Sequence, residues 1–165
     1  PRLGRRQLFP RIDPRRRWRR DRRVGTADTG SAGLTEGQEA DAIAAVEGVI
    51  AAFNRRDAAA IADLLADDVI CAGIPLEPAS GKTATMALLA PFLAAEEIDW
   101  QLLAIAANGR MVFTERNDRF RFAGQGWTTV RAAGIFEIGG DGRVSAWRDY
   151  FDLGELERAM PGATA

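Results

Sequence analysis

The sequence predicts an α+β domain, a curved mixed or antiparallel sheet packed by three to four helices into a cone with a deep apolar pocket. Three observations point there. Apolar residues between Leu34 and Leu93 recur mostly at helical spacing. Those between Ile98 and Phe151 fall into long strand-like runs, and two of these runs carry charge on their apolar face.

Thr35-Glu36-Gly37-Gln38 reads as a capping box, with Gln38 three residues after the Thr35 cap. The stripe Ala42, Ile43, Val46, Ile50 and Phe53 carries the first helix to Asn54. Asp57 caps a second, short helix through Ile61, Leu64 and Leu65. A strand over Val69–Ile74 stops at Pro75, which has no N–H for a ladder. The third helix, Lys82–Leu93, is built around Met86, Leu89 and Phe92. Strands Ile98–Ala106 and Met111–Phe122 meet across Asn108-Gly109, a pair suited to a tight hairpin. Trp127–Ile138 follows, then the turn Gly139-Gly140-Asp141-Gly142 and the strand Val144–Phe151. A last helix starts at Leu153, capped by Asp152.

The net charge of −1 over 165 residues hides an uneven distribution. Residues 1–23 hold eleven arginines against Asp13 and Asp21, a balance of +9 that leaves −10 for the rest. Residues 1–33 lack apolar periodicity and end in a Gly- and Thr-rich linker. They are expected to be a disordered arm or a non-native extension beside one cone domain over 34–165. Basic arms can bind nucleic acid or anionic membranes, but neither role is expected of this one. No apolar run reaches the ~18 residues of a membrane-spanning helix. The single Cys71 excludes an intrachain disulfide, so a cytoplasmic protein is expected.

The chain has no histidine, which removes Ser-His and Cys-His nucleophiles and any zinc site built on imidazole. No metal and no cofactor are expected. Proton transfer is left to carboxylates, with arginine or lysine as the electrostatic partner. Strand side chains alternate between faces. Val112, Thr114, Arg116, Asp118, Phe120 and Phe122 therefore share the more apolar face of their strand. Asp149 likewise shares its face with Trp147 and Phe151. Charges buried there must be paired, and the stability they cost is unusual unless they do chemistry. The plainer alternative is a structural ion pair on a wet strand.

Thr114-Glu115-Arg116 with Asp118, Gly134-Ile135-Phe136, and Trp147-Arg148-Asp149-Tyr150-Phe151-Asp152-Leu153 together resemble the limonene-1,2-epoxide hydrolase family. Ile74-Pro75-Leu76 with Pro78-Ala79 and Gly81 fits the same pattern, and the match runs in order from Ala42 to Met160. The wider superfamily of nuclear transport factor 2, ketosteroid isomerase and polyketide cyclases shares the cone without these motifs. The resemblance implies one-step hydrolysis of an apolar epoxide to a vicinal diol, without metal or covalent intermediate. Asp149 would take a proton from water, Asp118 would donate one to the epoxide oxygen, and Arg116 would lie between them. Where the family has a water-holding tyrosine and asparagine on the first strand, this chain has Cys71 and Gly73.

The expected pocket wall comprises Cys71, Gly73, Val130, Ala132, Trp147, Phe151 and Leu156. Cys71 reads as a small apolar filler, and Asp152 as a helix cap rather than a catalyst. Phe113, Ile135 and Tyr150 share the opposite sheet face, which suggests a homodimer. Two other functions compete. A ketosteroid-isomerase- or polyketide-cyclase-like proton shuttle needs a donor for an enolate, and the single Tyr150 lies on the other face from Asp149. A non-catalytic domain binding an apolar ligand fits the loss of the two water-holding side chains.

Overall fold

The computed structural model describes residues 36–160. Thr35 and the basic segment 1–33 lie outside the described residues.

The chain runs through α1 (Glu36–Asn54), α2 (Ala58–Leu64), β1 (Leu65–Ile74), β2 (Ala79–Ser80), α3 (Lys82–Leu93), β3 (Glu97–Asn108), β4 (Met111–Arg121), β5 (Trp127–Ile138), β6 (Val144–Phe151) and α4 (Leu153–Ala159). The strands form one mixed sheet in the order β2-β1-β6-β5-β4-β3. Only β1 and β6 pair in parallel. This is the α+β architecture the sequence predicts.

The details differ at element ends. Leu65 is not the last residue of α2 but its C-cap and the first residue of β1, four residues before the expected strand start. The short β2 was not anticipated; it pairs Ala79 with Cys71 and Ser80 with Ile70. Both N-caps work as expected, since Asp57 accepts from the Ala60 N–H and Asp152 from the Glu155 N–H.

Helix α1 covers the inner sheet face and buries Ala42, Val46, Val49, Ile50, Ala52 and Phe53. Ile43, placed on that stripe by the sequence, is only half-buried. Phe53 stacks on Trp100 at 4.0 Å between centroids and meets Trp147 edge-on at 5.8 Å. Asn54, at the end of α1, clamps the edge strand β3. Its Nδ2 donates to the Trp100 carbonyl, and its Oδ1 accepts from the Trp100 N–H at 2.7 Å. An edge strand that would otherwise offer open backbone groups is thus closed where it carries Trp100.

One irregularity decides what faces inward on β3. Near the hairpin Ala104 pairs with Glu115, but beyond a bulge Leu102 pairs with Arg116 and Trp100 with Asp118. The skipped residue, Leu103, is 55% exposed. A bulge inserts one unpaired residue and reverses which parity faces the core. It puts Trp100 on the inner face with Asp118.

Candidate active site

Register brings the inner-face residues of four strands into rows. Gly73 of β1, Asp149 of β6, Gly134 of β5 and Thr114 of β4 stand side by side. The adjacent row holds Phe151, Ala132, Arg116 and Leu102, and the next holds Val130, Asp118 and Trp100. On β4 every inward residue from Val112 to Phe120 is buried.

Arg116, fully buried, is the hub. Its Nε donates to Asp118 Oδ1 at 3.0 Å and its Nη2 to Asp118 Oδ2 at 3.1 Å, the two-pronged grip of guanidinium on carboxylate. Nη2 also donates to Asp149 Oδ2 at 2.9 Å, and Nη1 donates to Thr114 Oγ1 at 2.9 Å. The guanidinium lies over the Trp100 ring at 4.8 Å and the Phe136 ring at 5.8 Å. Asp149 Oδ1, also buried, has no hydrogen-bond partner among the described residues.

One cation serves two carboxylates, so a site with both ionised would hold an uncompensated buried charge. Burial pushes the Asp118 carboxyl up, Arg116 pulls it back and Asp149 raises it again, leaving it at about 6. Burial alone would favour neutral arginine, but Asp149 and Asp118 outweigh it and hold the guanidinium above its usual range. The arrangement holds two carboxyl groups of one cluster on a single guanidinium. Among the described residues, no group of three His, Cys, Asp or Glu side chains is placed to hold a metal.

The other sequence-predicted positions fall as follows. Cys71 is buried opposite Trp147, and burial with the nearby Asp149 charge pushes its thiol up to about 12, so it is no nucleophile. Gly73 is the ladder partner of Asp149 and lies under the Phe151 ring. Val130 and Ala132 are buried opposite Asp118 and Arg116, while Leu156 is buried on α4, which packs on β5. Phe151 is half-buried. Arg148 pairs with Glu137, away from this cluster. Sequence reasoning assigned no role to Thr114, Gly134, Trp100 or Phe136. Thr114 and Gly134 were visible in the motifs, whereas Trp100 was hidden by the bulge.

Residues 40–161 match the model of the limonene-1,2-epoxide hydrolase catalytic domain. The chain belongs to the limonene-1,2-epoxide hydrolase family. It is 28% identical over 116 residues to "Epoxide hydrolase EphG" of Mycobacterium tuberculosis, covering 70% of this chain and 76% of that protein. A solved limonene-epoxide-hydrolase-like epoxide hydrolase from M. tuberculosis superposes with a TM-score of 0.65 at 29% identity, covering 74% of this chain and 90% of the other. A SnoaL-like protein structure from Shewanella denitrificans OS-217 reaches 0.62 at 12% identity, over 72% and 95% of the two chains. That likeness extends to the fold alone. The limonene-epoxide hydrolase relationship makes this chain an enzyme of the epoxide hydrolase class and its domain an α+β cone of the nuclear transport factor 2 kind. No helix among the described residues is long and apolar enough to cross a membrane.

Proposed function

We propose that this enzyme hydrolyses an apolar epoxide to a vicinal diol in one step, with Asp149 as general base and Asp118 as general acid. Asp149 takes a proton from water at Oδ1 as the water oxygen bonds to an epoxide carbon. The carbon–oxygen bond of the ring breaks, and the Asp118 proton goes to the departing oxygen. Water and epoxide are consumed and diol is formed, leaving Asp149 protonated and Asp118 ionised. Arg116 touches both carboxylates throughout, so the charge moves from one side of a single guanidinium to the other. Exchange of one proton with solvent resets the pair.

The observation that carries this reading is one buried guanidinium bonded to both aspartates while Asp149 Oδ1 keeps no partner. The hydrocarbon part of the substrate would lie against Val130, Ala132, Trp147, Phe151 and Leu156, beside Cys71 and Gly73. The reading needs no cofactor and assigns the enzyme to the cytoplasm. It also includes a homodimer through the outer sheet face, where Leu103, Phe113 and Tyr150 are exposed.

A single turnover in isotopically labelled water, with enzyme in excess over a small cyclic epoxide, tests the chemistry. Direct attack puts the label in the diol. A covalent ester on an aspartate would put unlabelled carboxylate oxygen there instead. No diol under any condition would leave a binding domain as the better account. Sedimentation of the parent and of Phe113→Lys tests the dimer, since the charge should dissociate it.

A further inference from the structure

Arg116 springs from β4 yet must bond Asp149 on β6, with β5 between them. A long flexible side chain does not hold such a line by itself. We infer that Thr114 and Gly134 are positioning residues that seat the Arg116 guanidinium across β5, and with it both carboxylates.

Two independent observations meet at this seat. First, the guanidinium edge turned from Asp118 is not left open. Nη1 donates to Thr114 Oγ1 at 2.9 Å, and Thr114 is itself only 5% exposed. Every guanidinium nitrogen thereby has an acceptor, and rotation about the side-chain axis would break at least one of these bonds. Second, Gly134 is the ladder partner of both Thr114 and Asp149. A β-carbon on Gly134 would stand 2.4 Å from Arg116 Nη1, 2.6 Å from Thr114 Oγ1 and 2.8 Å from Asp149 Oδ1. No side chain fits there without moving the guanidinium, the hydroxyl or the base. The absent side chain is the room in which arginine crosses.

The seat acts on the reaction through Arg116, so it rests on the function proposed above for its kinetic readout. The experiment compares Thr114→Val, Thr114→Ser and Gly134→Ala with the parent. It measures diol formation from cyclohexene oxide and the resolved Nη–H resonances of Arg116, assigned by their absence in Arg116→Lys. Valine keeps the shape and removes the acceptor, so kcat should fall about ten- to a hundredfold with KM nearly unchanged. Serine restores the oxygen and should return kcat to within about threefold of the parent. Gly134→Ala should lose at least as much as the valine variant. The Nη1 resonance should persist in the parent and in the serine variant and vanish in the valine variant. If Thr114→Val keeps that resonance and the parental kcat, the seat is wrong. Equal loss in the serine and valine variants also overturns it, since that would mark a packing role. If no protein of the set opens the epoxide, the functional reading fails, while the resonances still decide the seat.

Discussion

The ring edge of Phe151 lies over Gly73, with Cε1 and Cζ standing 3.1 and 3.2 Å from where a β-carbon on Gly73 would be. Asp149 is thus flanked in its row by two glycines, and each lends its empty side-chain space to a neighbour. Gly134 receives the guanidinium and Gly73 receives an aromatic ring.

The pairing bears on the water-holding asparagine that the family resemblance places at this position. Gly73→Asn must push the Phe151 ring aside before it can offer a polar group beside Asp149. Overpacking of this kind costs about 1–3 kcal/mol. Trimming the ring with Phe151→Leu should recover most of that loss, and only the double variant should gain hydrolysis of a small epoxide. Urea unfolding of the four proteins in the cycle measures the coupling; strictly additive losses would show that the ring and the glycine do not interact.

Asp149→Asn should leave the fold intact and lower kcat by about a thousandfold, since an amide cannot accept the proton of water. Asp118→Asn should lose activity on a similar scale by removing the acid. Diol formation, with circular dichroism as the control for folding, checks both. Parental turnover in either variant would remove that residue from the mechanism.

Arg116→Lys should cost stability as well as rate. An ammonium cannot grip Asp118 with two prongs and still reach Asp149, and it loses the flat stack on Trp100. Breaking a buried ionic group of this kind costs about 3–5 kcal/mol. Thermal and urea unfolding read the loss, and an unchanged melting temperature would contradict it.

The pH dependence follows from Asp118. Its carboxyl rises from 3.8 to about 6 on folding, so the folded state binds the proton more tightly. The stabilisation this brings is fully present below the unfolded value and is lost as pH rises through the folded one. Between pH 4 and 7 the contribution should fall by about 2 kcal/mol. Asp118→Asn should abolish that component of the pH dependence. If the proposed acid is right, kcat/KM of the parent should also decline above a pH of about 6. A flat profile through that range would rule Asp118 out as the acid.

Alternation alone made β4 legible. Arg116 and Asp118 share a buried face with Val112, Phe120 and Phe122, as period two requires. The same rule misleads on β3. Carried through from Trp100, it would put Ala104 and Ala106 inside, yet both are exposed, because the bulge at Leu103 reverses the parity. No residue type at Leu103 announces that bulge. Gly134 was visible in its motif, but its partner was not. A glycine in a strand signals close approach, but the group that approaches comes from another strand and is set by register. The Asp118 and Asp149 contacts needed only parity, whereas Trp100, Phe136 and the Gly134 passage needed the assembled sheet.

The parallel pairing of β6 with β1 has a kinetic consequence. Strands β3, β4, β5 and β6 follow one another as a meander of short-range hairpins, whereas β1, at the start of the described sheet, must find β6 at its end. Contacts that close long stretches of chain form slowly, because the entropy of closure precedes their reward. Arg116, Asp118 and Asp149 all lie within the meander, and Gly73 should join their row only when β1 docks on β6. Val69→Ala on β1 should then change how fast the native protein opens far more than how fast it forms, and a chevron plot would place the effect on the unfolding limb. The parallel seam should be the final piece of the sheet to close.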